Sequence, residues 1–344
     1  MTTSGSYTFL VQRDDIIRQA MLNIGRIGEG EIPTAQEVTD CALRLNMLVK
    51  QWQGRNDFAP GLKQWTRRLG ALLLSGNQNV YQLDASTADD WTDEFTLIQT
   101  TLSTTAVAGA TSVTVASISN TAAGGTSNSV TAASGWYVGI EQDSEIMFTT
   151  TVNGAPSGTT LTLASALSTQ ASSGNMVWLY QSKTTAPYVL ETASLRDQFG
   201  NDTPLRIIRD RAVFENLPSK QNPQNLSLPT AVYLEQHLLT ASTPPPLTQY
   251  LYIDCYGVQD ISYRIRLGYM EEVQGFANPQ DQPEYPPEWF LPLCWGLSKQ
   301  IAPMFNLPFT ESMEGAYRES LKMAQEANPD TTEIYFQPGN DGSA

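Results

Sequence analysis

Thr104–Ser117 reads TTAVAGATSVTVAS, and Thr150–Ser165 reads TTVNGAPSGTTLTLAS. The near repetition falls within 101–182, whose only charged residues are Glu141, Asp143 and Glu145 in a background of Thr, Ser, Ala and Gly. Val113 and Val115, Val138 and Ile140, Ile146 and Phe148, Leu161 and Leu163, and Val177 and Leu179 are each spaced two apart. Two is the period of a half-buried strand. VAGA, NGAPSG and SSGN mark turns between short strands. The pattern predicts a small β-sandwich or barrel with the two copies as equivalent hairpins. Low-complexity disorder is excluded, because it would leave Trp136, Phe148 and Trp178 in water.

Strand-like sequence resumes on both sides of this stretch, which makes it an insertion of a kind surface loops accept at small entropic cost. Upstream, LGALLLSGNQNVYQL predicts two short strands about a Gly-Asn turn. Downstream, PTAVYLEQHLL is a strand, and QYLYIDCYGV places Leu251, Ile253 and Cys255 on one face. SYRIRLGYM alternates Tyr263, Ile265, Leu267 and Tyr269 against Ser262, Arg264, Arg266 and Gly268. TASTPPPLTQ is a stiff connection between two of these strands.

Further out, the period changes to that of helices. DDIIRQAMLNIG sets Ile16, Ile17, Ala20, Met21 and Ile24 on one stripe, with Asp14 and Asp15 at its start and Gly25 at its end. The next helix opens with Thr34 and Glu37 at capping-box spacing. Its seam runs through Val38, Ala42, Leu45, Val49 and Trp52. Near the other end, Pro286 and Pro287 suit a first helical turn. Trp289, Leu293, Leu297 and Ile301 follow as a buried stripe that Pro292 and Pro303 kink or limit. A last helix directs Met313, Tyr317, Leu321 and Ala324 inward. Two helix pairs with one apolar stripe each bury those stripes best against one another.

The sequence therefore predicts an α+β chain: a helical bundle from the N- and C-terminal helix pairs, a central antiparallel β region, and an inserted small β-sandwich or barrel. The expected divisions are 1–68 and 283–330 for the bundle, 69–100 and 183–282 for the central β region, 101–182 for the insert, and 331–344 for an extended tail. Ile17, Leu45, Trp52, Trp289, Leu293, Leu297 and Tyr317 are the expected bundle core.

Charge narrows the function. The 344 residues carry 35 acids and 20 bases, a net charge of −15. No Lys or Arg lies between Arg68 and Lys183. Phosphate neutralisation needs such residues, so composition argues against a sequence-reading nucleic-acid binder. An acidic protein can still work beside DNA that must slide past without sticking. No apolar run approaches the roughly 18 residues of a membrane span. The first residues, MTTSGSYTFL, lack the pattern of a signal peptide.

The catalytic inventory is thin. His237, the one histidine, lies in a strand-like run. Cys41, Cys255 and Cys294 are scattered and read as small buried hydrophobes in a reducing compartment, with no metal site implied. GRIGEG lacks the lysine of a phosphate loop and follows a helix, so it reads as a helix cap and turn. The pairs Asp89/Asp90, Asp93/Glu94 and Glu271/Glu272 sit in polar sequence and are expected to be solvated. A hydrolase working through such a pair remains a rival reading. Neither catalytic residues nor a cofactor or metal is expected.

The order of these elements resembles the head-to-tail adaptor proteins of short-tailed bacteriophages, also called packaged-DNA stabilisation or tail tubular A-type proteins. The resemblance is carried by RDDIIRQAMLNIGRIGEGEIPTAQEVTDCALRLNMLVKQW, by SGNQNVYQL, and by YPPEWFLPLCWGLSKQIAPMFNLP with AYRESLKMAQEAN. It implies a ring of identical subunits, twelve in such proteins, docked beneath the portal protein at one vertex of the virion. Such a ring extends the DNA channel, retains packaged DNA, lets double-stranded DNA through without reading it, and receives the tail nozzle, tube or fibre component. The subunits are made in the host cytoplasm. The tail of such proteins reaches into the portal, which makes Ile334, Tyr335 and Phe336 the expected portal contacts. The insert departs from the simplest family pattern. It supports the rival expectation of a carbohydrate- or receptor-binding tail component that uses Trp136, Tyr137 and Trp178 as stacking faces.

Overall fold

A computed structural model of the chain describes residues 11–53, 67–85, 89–120, 130–218, 220, 222, 226–238 and 247–326. The chain forms two compact units, one from its two ends, 1–66 and 273–344, and one from its middle, 67–272. The expected portal contacts Ile334, Tyr335 and Phe336 lie outside the described residues.

The first unit holds α1 (Arg13–Asn23) and α2 (Ala35–Gln53). Gly25, which follows α1, takes a φ of +68°, a left-handed conformation that favours glycine. Thr34 and Glu37 form the expected reciprocal cap: the Thr34 N–H donates to Glu37 Oε2 at 2.9 Å, and the Glu37 N–H donates to Thr34 Oγ1 at 3.4 Å.

The second unit begins with β1 (Arg67–Leu73), β2 (Val80–Gln82), β3 (Trp91–Asp93) and β4 (Ile98–Thr101). It continues through β5 (Ser112–Thr114), β6 (Ser119–Asn120), β7 (Val130–Thr131), β8 (Tyr137–Glu141), β9 (Met147–Thr151), β10 (Thr160–Thr162) and β11 (Met176–Tyr180). Then come β12 (Pro187–Arg196), β13 (Asp202–Pro204), β14 (Arg206–Ile208) and the short helix α3 (Arg211–Glu215). β15 (Ala231–Leu238), β16 (Leu247–Ile253) and β17 (Arg264–Glu271) complete it. The chain returns to the first unit with α4 (Phe290–Ile301), entered through a 3-10 turn at Pro287–Trp289, and α5 (Glu311–Glu326).

The four long helices bury one core. Ile17, Leu45, Trp52, Trp289, Leu293 and Leu297 are buried in it, and Tyr317 packs against it half-buried. Trp52 and Trp289 meet edge to face, 5.9 Å between ring centroids. Ser298 Oγ donates to the carbonyl of Ala20, 278 positions away, at 3.0 Å. A Cβ on Gly296 would lie 3.0 Å from Leu48 and 3.1 Å from Trp52, so α4 approaches α2 where it carries no side chain.

A helical bundle as the dominant body is nevertheless overturned. Among the described residues five α-helices stand against seventeen strands, most of them in antiparallel sheets, and the helical unit is the smaller of the two. The protein is a mixed α/β chain whose regular elements are mostly strands. The physical reason lies in signal length. A helix seam repeats over 11 to 19 residues, as in α1 and α2, whereas many of these strands are two to five residues long and each announces itself weakly.

In the second unit, a five-stranded sheet in the order β13-β12-β17-β1-β3 faces a four-stranded sheet in the order β14-β15-β16-β2. Leu72, Trp91, Leu195, Ile265, Leu267 and Tyr269 from the first share one core with Tyr81, Val232, Leu251 and Ile253 from the second. The expected hairpin through LGALLLSGNQNVYQL is replaced by a crossing: β1 pairs with β17 and β3, while β2 pairs with β16 in the facing sheet.

The repeated phrase has a structural counterpart. β4, β11, β8 and β9 form a sheet in that order, and the two copies of the phrase pair with each other as β5 and β10. Several contacts occur twice. Ala116 N–H donates to Thr101 O, as Ala164 N–H does to Thr151 O, both at 2.9 Å. Ser117 N–H donates to Thr100 Oγ1 at 3.0 Å, as Ser165 N–H does to Thr150 Oγ1 at 3.1 Å. Gly135 N–H donates to Val152 O, as Gly174 N–H does to Leu102 O. Across the central pair, Val138 faces Leu179, Val177 faces Ile140, and Gly139 faces Trp178. A pseudo-twofold axis therefore passes between Gly139 and Trp178. The insert is an intertwined duplication in which each half lends its first strand to the other half's last: β4 to β11, and β9 to β8.

Candidate functional site

β1 and β17 alternate. Leu72, Ile265, Leu267 and Tyr269 enter the sandwich core, which leaves Ala71, Leu73, Arg264 and Arg266 on the outer face. The insert packs on part of that face through Met176, Trp178 and Tyr180, which bury against Ala71, Leu73 and Leu97. Gly139 sits over Leu73, where a Cβ would lie only 3.1 Å from Leu73 Cδ1. The pseudo-symmetry is broken here: bulky Trp178 and bare Gly139 occupy equivalent positions because the face beneath is uneven.

Two polar latches flank this contact. On one side Arg264, 7 % exposed, lies with its guanidinium 5.1 Å from the Trp178 ring. Its Nη2 and Nε donate to Glu94 at 2.8 and 3.1 Å, and its Nη1 donates to Gln99 Oε1 at 2.9 Å. Arg196 Nη1 donates to the same Glu94 at 2.9 Å. Arg196 is also held by Asp202 through two bonds, at 2.8 and 2.6 Å. On the other side Asp90, 6 % exposed, accepts from the Tyr180 hydroxyl at 2.5 Å and from the Thr149 hydroxyl. Gln99 and Thr149 are pseudo-equivalent, since they face Trp178 and Gly139 respectively. The insert thus grips the sheet through the same position of each half. Burial pushes the Asp90 carboxyl above the usual carboxylate range, against the lowering effect of its two hydroxyl donors.

Next to the first latch lies a cleft of about 780 Å³, lined by Arg196, Arg264 and Arg266, by Glu94 that pairs with the first two, and by Gln99, Ser117 and Asn120. Phe95 and Phe199 line it while 68 % and 81 % exposed. Arg266 is the most loosely held of the three arginines, with one 3.4 Å bond to Asp202 and no acceptor for its Nε among the described residues.

The acidic pairs are not uniformly solvated as expected. Asp90, Glu94 and Glu271 each have a buried side chain, because the insert and the neighbouring strands cover them. Glu271 accepts from Arg68 Nε at 2.8 Å and from the Thr185 hydroxyl at 2.6 Å. The pairing of Glu94 with Arg264 is hinted at in the sequence only by two arginines at period two on an otherwise apolar strand. Trp178 is fully buried, Trp136 is 9 % exposed, and Tyr137 stacks on Tyr180 at 5.1 Å. Of the aromatics expected to face a sugar, Trp136 and Trp178 therefore face the interior and Tyr137 is half-buried. The three thiols are buried, and burial pushes Cys41 and Cys255 up to about 11 and Cys294 to about 12. His237 lies within β15, opposite Thr248. Among the described residues no group of three or more His, Cys, Asp or Glu could hold a metal ion, and no helix is long and apolar enough to cross a membrane.

No protein-family model matches the chain, and no curated protein matches it.

Proposed function

We propose that this chain is a structural head-to-tail connector of a short-tailed bacteriophage, a subunit of a ring that docks beneath the portal protein, extends the DNA channel and receives the next tail component. The observation that carries this reading is the convergence of both chain ends in one helical core, with Ser298 bonded to Ala20 across 278 positions. The order of elements on which the resemblance rests thereby has a physical counterpart: two terminal helix pairs joined through one seam, with the β unit between them in sequence. The net charge of −15 per subunit adds to it. A ring of such subunits with acids facing inward repels duplex DNA, which carries a charge per roughly 1.7 Å of axis, and so opposes adhesion during passage.

The test is capture. Purified protein mixed with the portal protein of the same phage is expected to form a ring visible by negative stain, and a chain lacking 331–344 is expected to be captured less well with unchanged thermal melting. A chain that stays apart from the portal at every concentration overturns the proposal. For the rival of a sugar-binding tail component, Trp136 and Trp178 are buried, which leaves the half-buried Tyr137 as its stacking face.

A further inference from the structure

The pseudo-twofold of the insert relates two surface segments that differ in chemistry. β4 and β9 are the two edges of its sheet, and equivalent segments lead into each: Glu94–Leu97 before β4, and Ser144–Met147 running into β9. The first segment borders the arginine-lined cleft and exposes Phe95. The second is a turn in which Asp143, Ser144, Glu145 and Ile146 are all exposed, and Glu145 holds a φ of +59°. Its backbone is anchored, since the carbonyl of Glu145 accepts from the Gly76 N–H at 2.7 Å. Asp143 is fixed by bonds from Ser172, Gln170 and Asn175. No lysine or arginine occurs anywhere in the insert.

One flank of the insert thus offers a rigid acidic turn with an apolar tip. The opposite flank offers a cleft lined by arginines and two exposed phenylalanines. We propose that the cleft receives the Asp143–Ile146 turn of a second copy of this chain, so that copies join head to tail. Ile146 enters between Phe95 and Phe199, and Asp143 and Glu145 approach Arg266. Two different patches meeting on opposite flanks make a heterologous contact, which closes into rings or runs on as filaments and does not stop at a pair. Charge complementarity lets strongly acidic subunits associate where their net charge alone would hold them apart. The inference deepens the connector reading by naming the surfaces through which its subunits meet.

Disulfide trapping in the full-length chain tests it. The three native thiols are buried, so the double variant Ile146→Cys with Phe199→Cys presents two reactive thiols. Mild oxidation at high protein concentration is expected to give a ladder of dimers, trimers and higher species. Adding Asp143→Lys and Glu145→Lys should reduce the ladder by about tenfold or more, as like charges set against each other across an interface do. A mixture of an Ile146→Cys chain carrying both lysines with a Phe199→Cys chain carrying Arg266→Glu should restore the crosslink. The absence of any ladder from the double variant, or a double-variant product that stops at dimer, overturns the proposal, as does a charge-swapped mixture that gives no crosslinked pair. Portal capture of the same variants keeps the two readings apart. A chain that ladders but captures no portal refutes the connector and leaves this interface standing; one that captures portal but never ladders does the reverse.

Discussion

The Tyr180 hydroxyl lies 2.5 Å from the Asp90 carboxylate, 90 positions away, and ties the last strand of the insert to the sheet beneath it. Removing the acid leaves the buried Tyr180 hydroxyl and the half-buried Thr149 hydroxyl without their acceptor. Asp90→Ala is expected to cost about 1–3 kcal/mol for each orphaned group, read as a lower midpoint in urea unfolding. Asp90→Asn keeps an acceptor and should cost less.

The same residue sets a pH dependence. Its folded pKa is raised above the unfolded value by burial. The folded state therefore holds the proton more tightly, and this contribution is full below the unfolded carboxylate pKa of about 3.9 and is lost as pH rises through the raised folded value. The difference in Tm between Asp90→Asn and the parent should shift in favour of the Asn variant from acid to neutral pH. A pH-independent difference would show that Asp90 carries no penalty for ionising.

Arg264 is buried between Trp178 and Glu94. Arg264→Ala leaves Glu94 buried with, among the described residues, only Arg196 to answer it. The expected loss is about 3–5 kcal/mol in denaturant unfolding. Arg264→Lys should recover little of it, because an ammonium cannot reach both oxygens of Glu94 and Gln99 at once.

In the helical unit, Leu293 and Leu297 are fully buried. Leu293→Ala should cost about 2–5 kcal/mol. Gly296→Leu should be at least as damaging, because its first added carbon already crowds Leu48 and Trp52. Calorimetry should place the loss in the transition of the helical unit, and a shift confined to the β unit would contradict the shared core.

Excision of 101–182 uncovers Ala71 and Leu73 and removes Trp178 from beneath Arg264. The shortened chain is expected to keep its helical transition by calorimetry but to lose that of the β unit. An unchanged β transition would show that the insert is a passenger.

The helical seams were legible because each repeats its apolar period several times: Ile17, Leu45, Trp52, Trp289, Leu293, Leu297 and Tyr317 fall into one cluster. The kinship of TTAVAGATSVTVAS and TTVNGAPSGTTLTLAS was legible too, as equivalent units. Their mutual pairing was not, because strand partners far apart in sequence leave no local mark. For the same reason Gly76 looked like a hairpin turn when it marks a crossing between sheets. The burial of Asp90 and Glu94 was hidden most deeply. An acid in a polar run reads as solvated until the element that covers it, here more than 80 positions away, is in place.

The exchange of strands within the insert has a consequence in time. β4 completes its ladder only against β11, and β9 only against β8. A nascent chain that has emerged as far as Glu141 holds every strand of the first half, yet β4 still lacks the ladder it forms with β11. The sheet closes only after Tyr180 clears the ribosome, so the first half must wait, with Ile98 and Val138 unprotected, for the second to be made. The wealth of Thr and Ser through that interval gives the waiting segment hydroxyls that water can bond.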